Sequence, residues 1–177
     1  MRLIARVTLT GTAASVTFSS IPSSGYTDLL VLKSSRTNRT GLAVSSDSIT
    51  FNTAQTHTGY SGVGLFGDGS TAYSNSGVPG SPYVGIYVGY SPGTGYTANT
   101  FSNDSIYIPN YAGSANKSIS VTSVQEGNTV TCYITNVAGL WASTSAIDSV
   151  TIHCNANFGG HLFVADSSFF LYGISRA

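Results

Sequence analysis

One pattern constrains this chain more than any other: apolar and polar side chains alternate residue by residue from its first ten residues to its last. In an extended chain successive side chains point to opposite sides, so a period of two marks a strand with one face turned to a core. Leu3, Ala5, Val7 and Leu9 share one face of the first such segment, and Ile4, Arg6, Thr8 and Thr10 share the other. Gly11-Thr12 offers a turn, and Val16-Thr-Phe18 starts a second strand that stops near Ile21-Pro22. Asp28-Leu-Leu-Val-Leu-Lys33 is apolar on both faces, as expected of a strand in the middle of a sandwich. Ser48–Phe51 is the next strand. Further on, Val84, Ile86 and Val88 alternate with Gly85, Tyr87 and Gly89, and Ile106/Ile108 mark a strand ended by Pro109-Asn110. Ile119-Ser-Val121 follows, then Val130, Cys132 and Ile134 on the apolar phase of another strand. Ala138–Ser145 reads as a strand end and corner. Val150, Ile152 and Cys154 share a face, and Phe169, Leu171 and Gly173 oppose Phe170, Tyr172 and Ile174 in a closing strand. No stretch of about a dozen residues shows a helical period. About ten strands separated by turn residues predict an all-β fold, a single antiparallel β-sandwich of jelly-roll type.

The chain of 177 residues shows no composition break, so one domain over 1–177 is expected, with a Gly/Ser/Tyr-rich insertion at 53–82. An irregular stretch of that length is uncommon in a compact domain. It is therefore either functional or packed against a neighbour, and it has room for short strands. Charged residues make up only 8%, against about 25% in an ordinary domain. Seven Lys/Arg balance seven Asp/Glu, and no basic stripe is visible, which argues against nucleic acid as a partner. The one local cluster, Lys33-Ser-Ser-Arg36-Thr-Asn-Arg39, reads as solubilising charge on a loop. With 41% hydrophobic residues the chain has material for a core, and disorder is not expected. A near-neutral surface repels weakly, so the composition suits an oligomer or assembly component. No apolar run is long enough to span a membrane, and Arg6 interrupts the apolar start, so neither membrane insertion nor a secretory signal is expected.

Candidate chemistry is sparse. Gly62-Val-Gly-Leu-Phe-Gly67 matches a dinucleotide-binding string, but Asp68-Gly-Ser-Thr follows where a helix would be needed. His57, His153 and His161 lack metal-ligand spacing, and His153 and Cys154 are neighbours that point to opposite faces of a strand. The carboxylates Asp28, Asp47, Asp68, Asp104, Glu126, Asp148 and Asp166 form no pair in sequence, and no G-x-S-x-G elbow exists. No catalytic residue, metal or cofactor is therefore expected, and no ligand-binding residue is assigned. Cys132 and Cys154 are either bonded across neighbouring strands or simply small buried hydrophobes. Tyr60, Tyr73, Tyr83, Tyr87, Tyr90, Tyr96, Tyr107 and Tyr111 also have two readings. Rings beside Asn and Ser hold sugars or protein partners, or they cover the sandwich and line subunit contacts.

Four segments carry a resemblance. Tyr26-Thr-Asp-Leu-Leu-Val-Leu32, Tyr107-Ile-Pro-Asn-Tyr-Ala-Gly113 with Asn116-Lys-Ser118, Val137-Ala-Gly-Leu-Trp-Ala-Ser-Thr144 and Phe169-Phe-Leu-Tyr-Gly-Ile174 together span the chain. As a set they resemble small bacteriophage virion structural proteins, the capsid decoration (cement) proteins and related fibre-tip domains. The resemblance implies a virion component, commonly trimeric, with no enzymatic residues. At Ile49-Thr-Phe-Asn52 and Thr53–Tyr60 the chain departs from that pattern, which leaves the specificity of its middle loop open. The expectation is a decoration protein on the capsid exterior, assembled in the host cytoplasm, with the major capsid protein and two further copies of itself as partners. The alternative is a receptor-binding tip that recognises host surface glycan. A bacterial carbohydrate-binding module is a third option, disfavoured by the missing secretion signal. Two structural expectations accompany the decoration reading. Met1–Thr10 would add its backbone to a neighbouring sheet edge, and Trp141 would pack near a threefold axis.

Overall fold

A computed structural model describes residues 1–41, 44–52, 58–75, 85–128, 132–154 and 160–175. The described residues form strands β1 (Arg2–Thr8), β2 (Ser15–Phe18), β3 (Asp28–Ser34), β4 (Val44–Phe51), β5 (Tyr60–Gly67) and β6 (Ala72–Asn75). They continue with β7 (Ile86–Pro92), β8 (Asn103–Ile108), β9 (Lys117–Gln125), β10 (Tyr133–Trp141), β11 (Val150–Cys154) and β12 (Ser168–Ile174). An eight-stranded sheet runs β1-β12-β3-β8-β9-β10-β5-β6, and a four-stranded sheet runs β2-β11-β4-β7. All the pairings are antiparallel. The two-sheet, all-β architecture is the one expected; sheets of eight and four strands in this order do not support the finer jelly-roll assignment.

The inner faces of the two sheets bury one core, in which Leu29, Val31, Ile49, Phe51, Ile86, Ile106, Ile108, Val150, Ile152 and Leu171 are fully enclosed. Trp141 belongs to it, stacked against Tyr60 and tilted 5.4 Å from the Phe51 ring. The indole is 6% exposed and packs between the two sheets of its own chain. The first strand pairs with β12 on one side and forms the edge of the large sheet, which is the position from which the expected addition to a neighbouring sheet would be made. A register shift between Leu3 and Ala5 breaks its alternation, which turns Leu3 outward, 43% exposed.

The stretch read as an insertion supplies β5 and β6. The former lies inside the large sheet, paired with β10 on one side and β6 on the other. The rest of that stretch, 53–57 and 76–82, lies outside the described residues, as do Tyr83, Val84, Val130 and His57. On β10 the apolar phase is the reverse of the expected one. Thr135, Val137 and Trp141 point inward, and Ile134 is 51% exposed.

Candidate functional site

Two features stand out, one inside the sandwich and one on its surface. The interior one follows from the strand phase. On β3 the inward residues are Leu29, Val31 and then Lys33. Lys33 pairs in register with Asp104 on β8, Asp104 with Ser123 on β9, and Ser123 with Thr135 on β10. One rung away, the corresponding inward ladder is Val31, Ile106, Val121 and Val137. The opposite sheet changes at the same level: Asp47 precedes Ile49 and Phe51 on β4, and Ser91 follows Ile86 and Val88 on β7.

The side chains meet in a closed ring. Lys33 Nζ donates to Asp47 Oδ2 and lies 3.1 Å from Asp104 Oδ2. The Ser91 hydroxyl donates to Asp47 Oδ2, and Ser91 Oγ is 2.5 Å from Ser35 Oγ. Ser35 Oγ is 3.1 Å from Ser102 Oγ, which donates to Asp104 Oδ2 at 2.5 Å and closes the circuit. The side chains of Lys33, Asp47 and Asp104 have no solvent exposure. Asp47 Oδ1 has no hydrogen-bond partner among the described residues. Gly89 allows the sheets this close: at φ +110°, a Cβ there would lie 2.0 Å from Ser123 Oγ and 2.9 Å from Asp104 Oδ1.

One ammonium faces two carboxylates in a dry interior, where a net charge is costly. Burial pushes the Asp47 carboxyl up to about 6, against the pull of Lys33, and burial also raises Asp104. Burial works against the Lys33 ammonium, but Asp104 and Asp47 outweigh it and hold its pKa above the ordinary value. The neutral arrangement is one ammonium, one carboxylate and one carboxylic acid.

The structure thus corrects the reading of Lys33–Arg39 as solubilising charge. Lys33 is 2% exposed and Arg36 9%. The Arg36 guanidinium donates to the carbonyls of Tyr96, Thr97 and Thr100, which clamps the β7–β8 connection. Lys117 is equally structural, with Nζ donating to the Gly113 carbonyl at 2.7 Å and the Ala115 carbonyl at 2.5 Å.

The remaining sequence candidates find structural places. Gly62–Gly67 lies within β5. Cys132 and Cys154 are both free thiols, so the bonded alternative falls. His153 Nε2 is 2.9 Å from Thr50 Oγ1, and no group of three His, Cys, Asp or Glu fit for a metal occurs among the described residues. The Tyr60, Tyr96 and Tyr111 side chains are buried. Tyr73, Phe66, Tyr87, Tyr90 and Tyr133 form a continuous aromatic cluster with ring centroids 4.8–5.6 Å apart between successive members. Tyr73 and Tyr107 are the exposed members of the predicted set among the described residues, and the Tyr107 hydroxyl donates to Asp28.

The surface feature is the outer face of the large sheet. Its outward positions are Ser61, Val63 and Leu65 on β5, Ile134, Asn136, Ala138 and Leu140 on β10, and Ser118, Ser120, Thr122 and Val124 on β9. They continue as Ser105 and Tyr107 on β8, Leu30 and Leu32 on β3, and Phe170 and Tyr172 on β12. From β5 to β12 none of these side chains is charged; the edge strand β1 adds the exposed Arg6, in register with Phe170. Asp28, at the margin, is tucked under Tyr107 and the Asn110 amide. Val63 (53% exposed), Leu65 (63%), Ile134 (51%) and Val124 (38%) are linked by register, Ile134 opposite Val124 and Asn136 opposite Leu65.

No family model matches the chain, and comparison with curated proteins and with solved structures returns no match.

Proposed function

We propose that this chain is a non-enzymatic structural protein of a bacteriophage virion, a decoration protein that binds the outer shell and stabilises it. The observation that carries the reading is the uncharged outer face that the eight-stranded sheet presents from β5 to β12, with Arg6 of the edge strand β1 at its margin. A sheet face left to water normally alternates toward charged and polar residues, and a contiguous apolar patch on it marks an interaction surface. Here the patch is Val63, Leu65, Val124 and Ile134, with Ser, Thr and Asn around it to pair with another backbone or side chain. Such a face fits a protein partner, the major capsid protein or a further copy of this chain in a trimer. Contacts repeated over several copies turn modest single affinities into firm attachment. The four phrases that resemble virion proteins supply the setting, and they are what the assignment to a virion rests on.

Recognition of host glycan by a fibre tip draws less support. Most of the described tyrosines that would serve it are core or cluster residues rather than a free platform.

Cryo-electron microscopy of purified virions tests the reading. Density for this chain over the capsid exterior is expected, whereas density confined to a tail or fibre tip would transfer the protein to receptor binding. Leu65→Lys with Ile134→Lys should leave the fold intact and lower capsid occupancy. Unchanged occupancy would remove the outer face from the argument.

A further inference from the structure

The Lys33 cluster is hard to explain as a device for stability alone. Burying an ion pair costs desolvation that its attraction scarcely repays, and apolar replacements of similar volume are often as stable or more so. This chain has seven lysines and arginines in all, yet it places one of them at the centre of the sandwich between two of its seven acidic residues. We propose that Lys33 and Asp47 condense into an intramolecular amide, an isopeptide bond that joins the two sheets, with Asp104 as the proton carrier.

The geometry meets each chemical requirement. The nucleophile and its target are in direct contact, with Lys33 Nζ against Asp47 Oδ2 on the facing sheet. Holding both on rigid strands replaces a bimolecular encounter, an advantage of about 10⁵–10⁸ M in effective concentration. The enclosure removes the hydration that otherwise stabilises the separate ammonium and carboxylate, and it offers no bulk water to drive the reverse reaction. A second carboxylate stands ready to move protons, with Asp104 Oδ2 3.1 Å from the same nitrogen. Asp47 and not Asp104 is the acceptor, because Lys33 Nζ donates to Asp47 Oδ2 at the closer contact, whereas Asp104 Oδ2 lies 3.1 Å away and is also held by Ser102. Oδ1 of Asp47 has no hydrogen-bond partner among the described residues and can become the amide oxygen.

The step balances without oxidant or cofactor. From Lys33 ammonium, Asp47 carboxylic acid and Asp104 carboxylate, one Nζ proton passes to Asp104. The neutral amine then attacks Asp47 Cγ, forming the Nζ–Cγ bond. A second Nζ proton leaves as the Asp104 proton is delivered to Oδ2, the Cγ–Oδ2 bond breaks, and water departs. The products are a neutral amide, one water and a protonated Asp104, so protons and charge are conserved. Nothing turns over; the chain modifies itself once. The product ties β3 of the large sheet to β4 of the small one. A covalent tie between the layers would suit a protein under mechanical load, although the chemistry does not depend on the virion reading.

Intact-mass spectrometry of the full-length folded protein is the direct test, and it needs no variant. A mass lower by one water is expected. Digestion with trypsin, which cuts after Arg36 and Arg39, together with chymotrypsin, which cuts after Tyr26, Phe51, Phe101 and Tyr107, should yield a Lys33 peptide joined to the Asp47 peptide and not to the Asp104 peptide. The complete sequence mass in a folded sample, or a bond to Asp104, would overturn the assignment. Lys33→Met and Asp47→Ala should each restore the full mass. Asp104→Asn, which keeps the size and some hydrogen bonding, should leave most of the chain unbonded; a bond formed at the wild-type rate would exclude Asp104 as proton carrier.

Discussion

The interior of this sandwich has two ends that differ by one rung of the sheet. Val31, Ile106, Val121 and Val137 make a dry ladder, and the next inward rung is Lys33, Asp104, Ser123 and Thr135. The dry end gains from area removed from water and is tolerant in detail, because apolar contacts are numerous and non-directional. The charged end gains little from area. Its integrity depends on each donor finding its acceptor, so it should fail as a unit. The contrast teaches that the same strands can carry a generic core and a specific chemical site, distinguished only by position along the strand.

The largest effect should come from removing one member of the charged end. Lys33→Met leaves Asp47 and Asp104 buried with no cation between them, and should cost about 3–5 kcal/mol in denaturant unfolding. Replacing the trio together, Lys33→Met with Asp47→Leu and Asp104→Leu, should cost far less, since no buried charge is left unpaired. If the triple variant loses as much as the single one, the polar end is not the costly device described. The single and triple variants should both lack the mass loss.

Next comes pH. Around Asp47 stand Lys33 on β3, Asp104 on β8, Ser91 and Tyr87 on β7 and Cys154 on β11. Burial pushes the Cys154 thiol up to about 12 and Tyr87 well above its ordinary value, so both are neutral at physiological pH. The Asp47 pKa is raised to about 6, so the acid form that can lose water is abundant below that pH and scarce above it. Bond formation after refolding should therefore be faster at pH 5 than at pH 8, by roughly a hundredfold given a pKa near 6. A rate that rises with pH would show that amine deprotonation, not Asp47 protonation, limits the step.

Gly89 then tests the close approach. Gly89→Ala puts a Cβ into Ser123 and Asp104 at a φ that L residues avoid. Strain and overpacking should each cost about 1–3 kcal/mol. Gly11→Ala, where nothing lies within 4 Å, should be near neutral. Equal losses at the two sites would mean the sheets can part over the charged end.

How much of this was written in the sequence differs between the ends. The all-β class and most strands follow directly from alternation, because Leu29 and Val31 on β3, Ile106 and Ile108 on β8 and Val150 and Ile152 on β11 do face the core. The charged residues were in phase too: Lys33 follows Leu29 and Val31, Asp104 precedes Ile106, and Asp47 precedes Ile49. A charge on the inward phase of a strand was the available signal. That three such charges share one level depends on the pairing of β3 with β8 and on how the two sheets stack, and alternation carries no register information between distant strands. On β10 even the phase was misread. Its outer face carries Ile134 where a charge would have marked the solvent side, so the strand lacks the contrast that alternation needs. The outer face that hides the phase is also the surface proposed to bind a partner, and both follow from the absence of charge.

The smallest effect belongs to the dry end. Ile106→Val removes one methylene from a fully enclosed side chain, and should cost about 0.5–1.5 kcal/mol. Its neighbours Val31 and Val121 are apolar and can relax toward the gap, with no charge exposed by the change. The mass loss should persist, since Lys33, Asp47 and Asp104 keep their contacts one rung away. A variant that unfolded, or that lost the bond while staying folded, would show that the two ends are one mechanical unit whose charged rung is held in place by the apolar rung beside it.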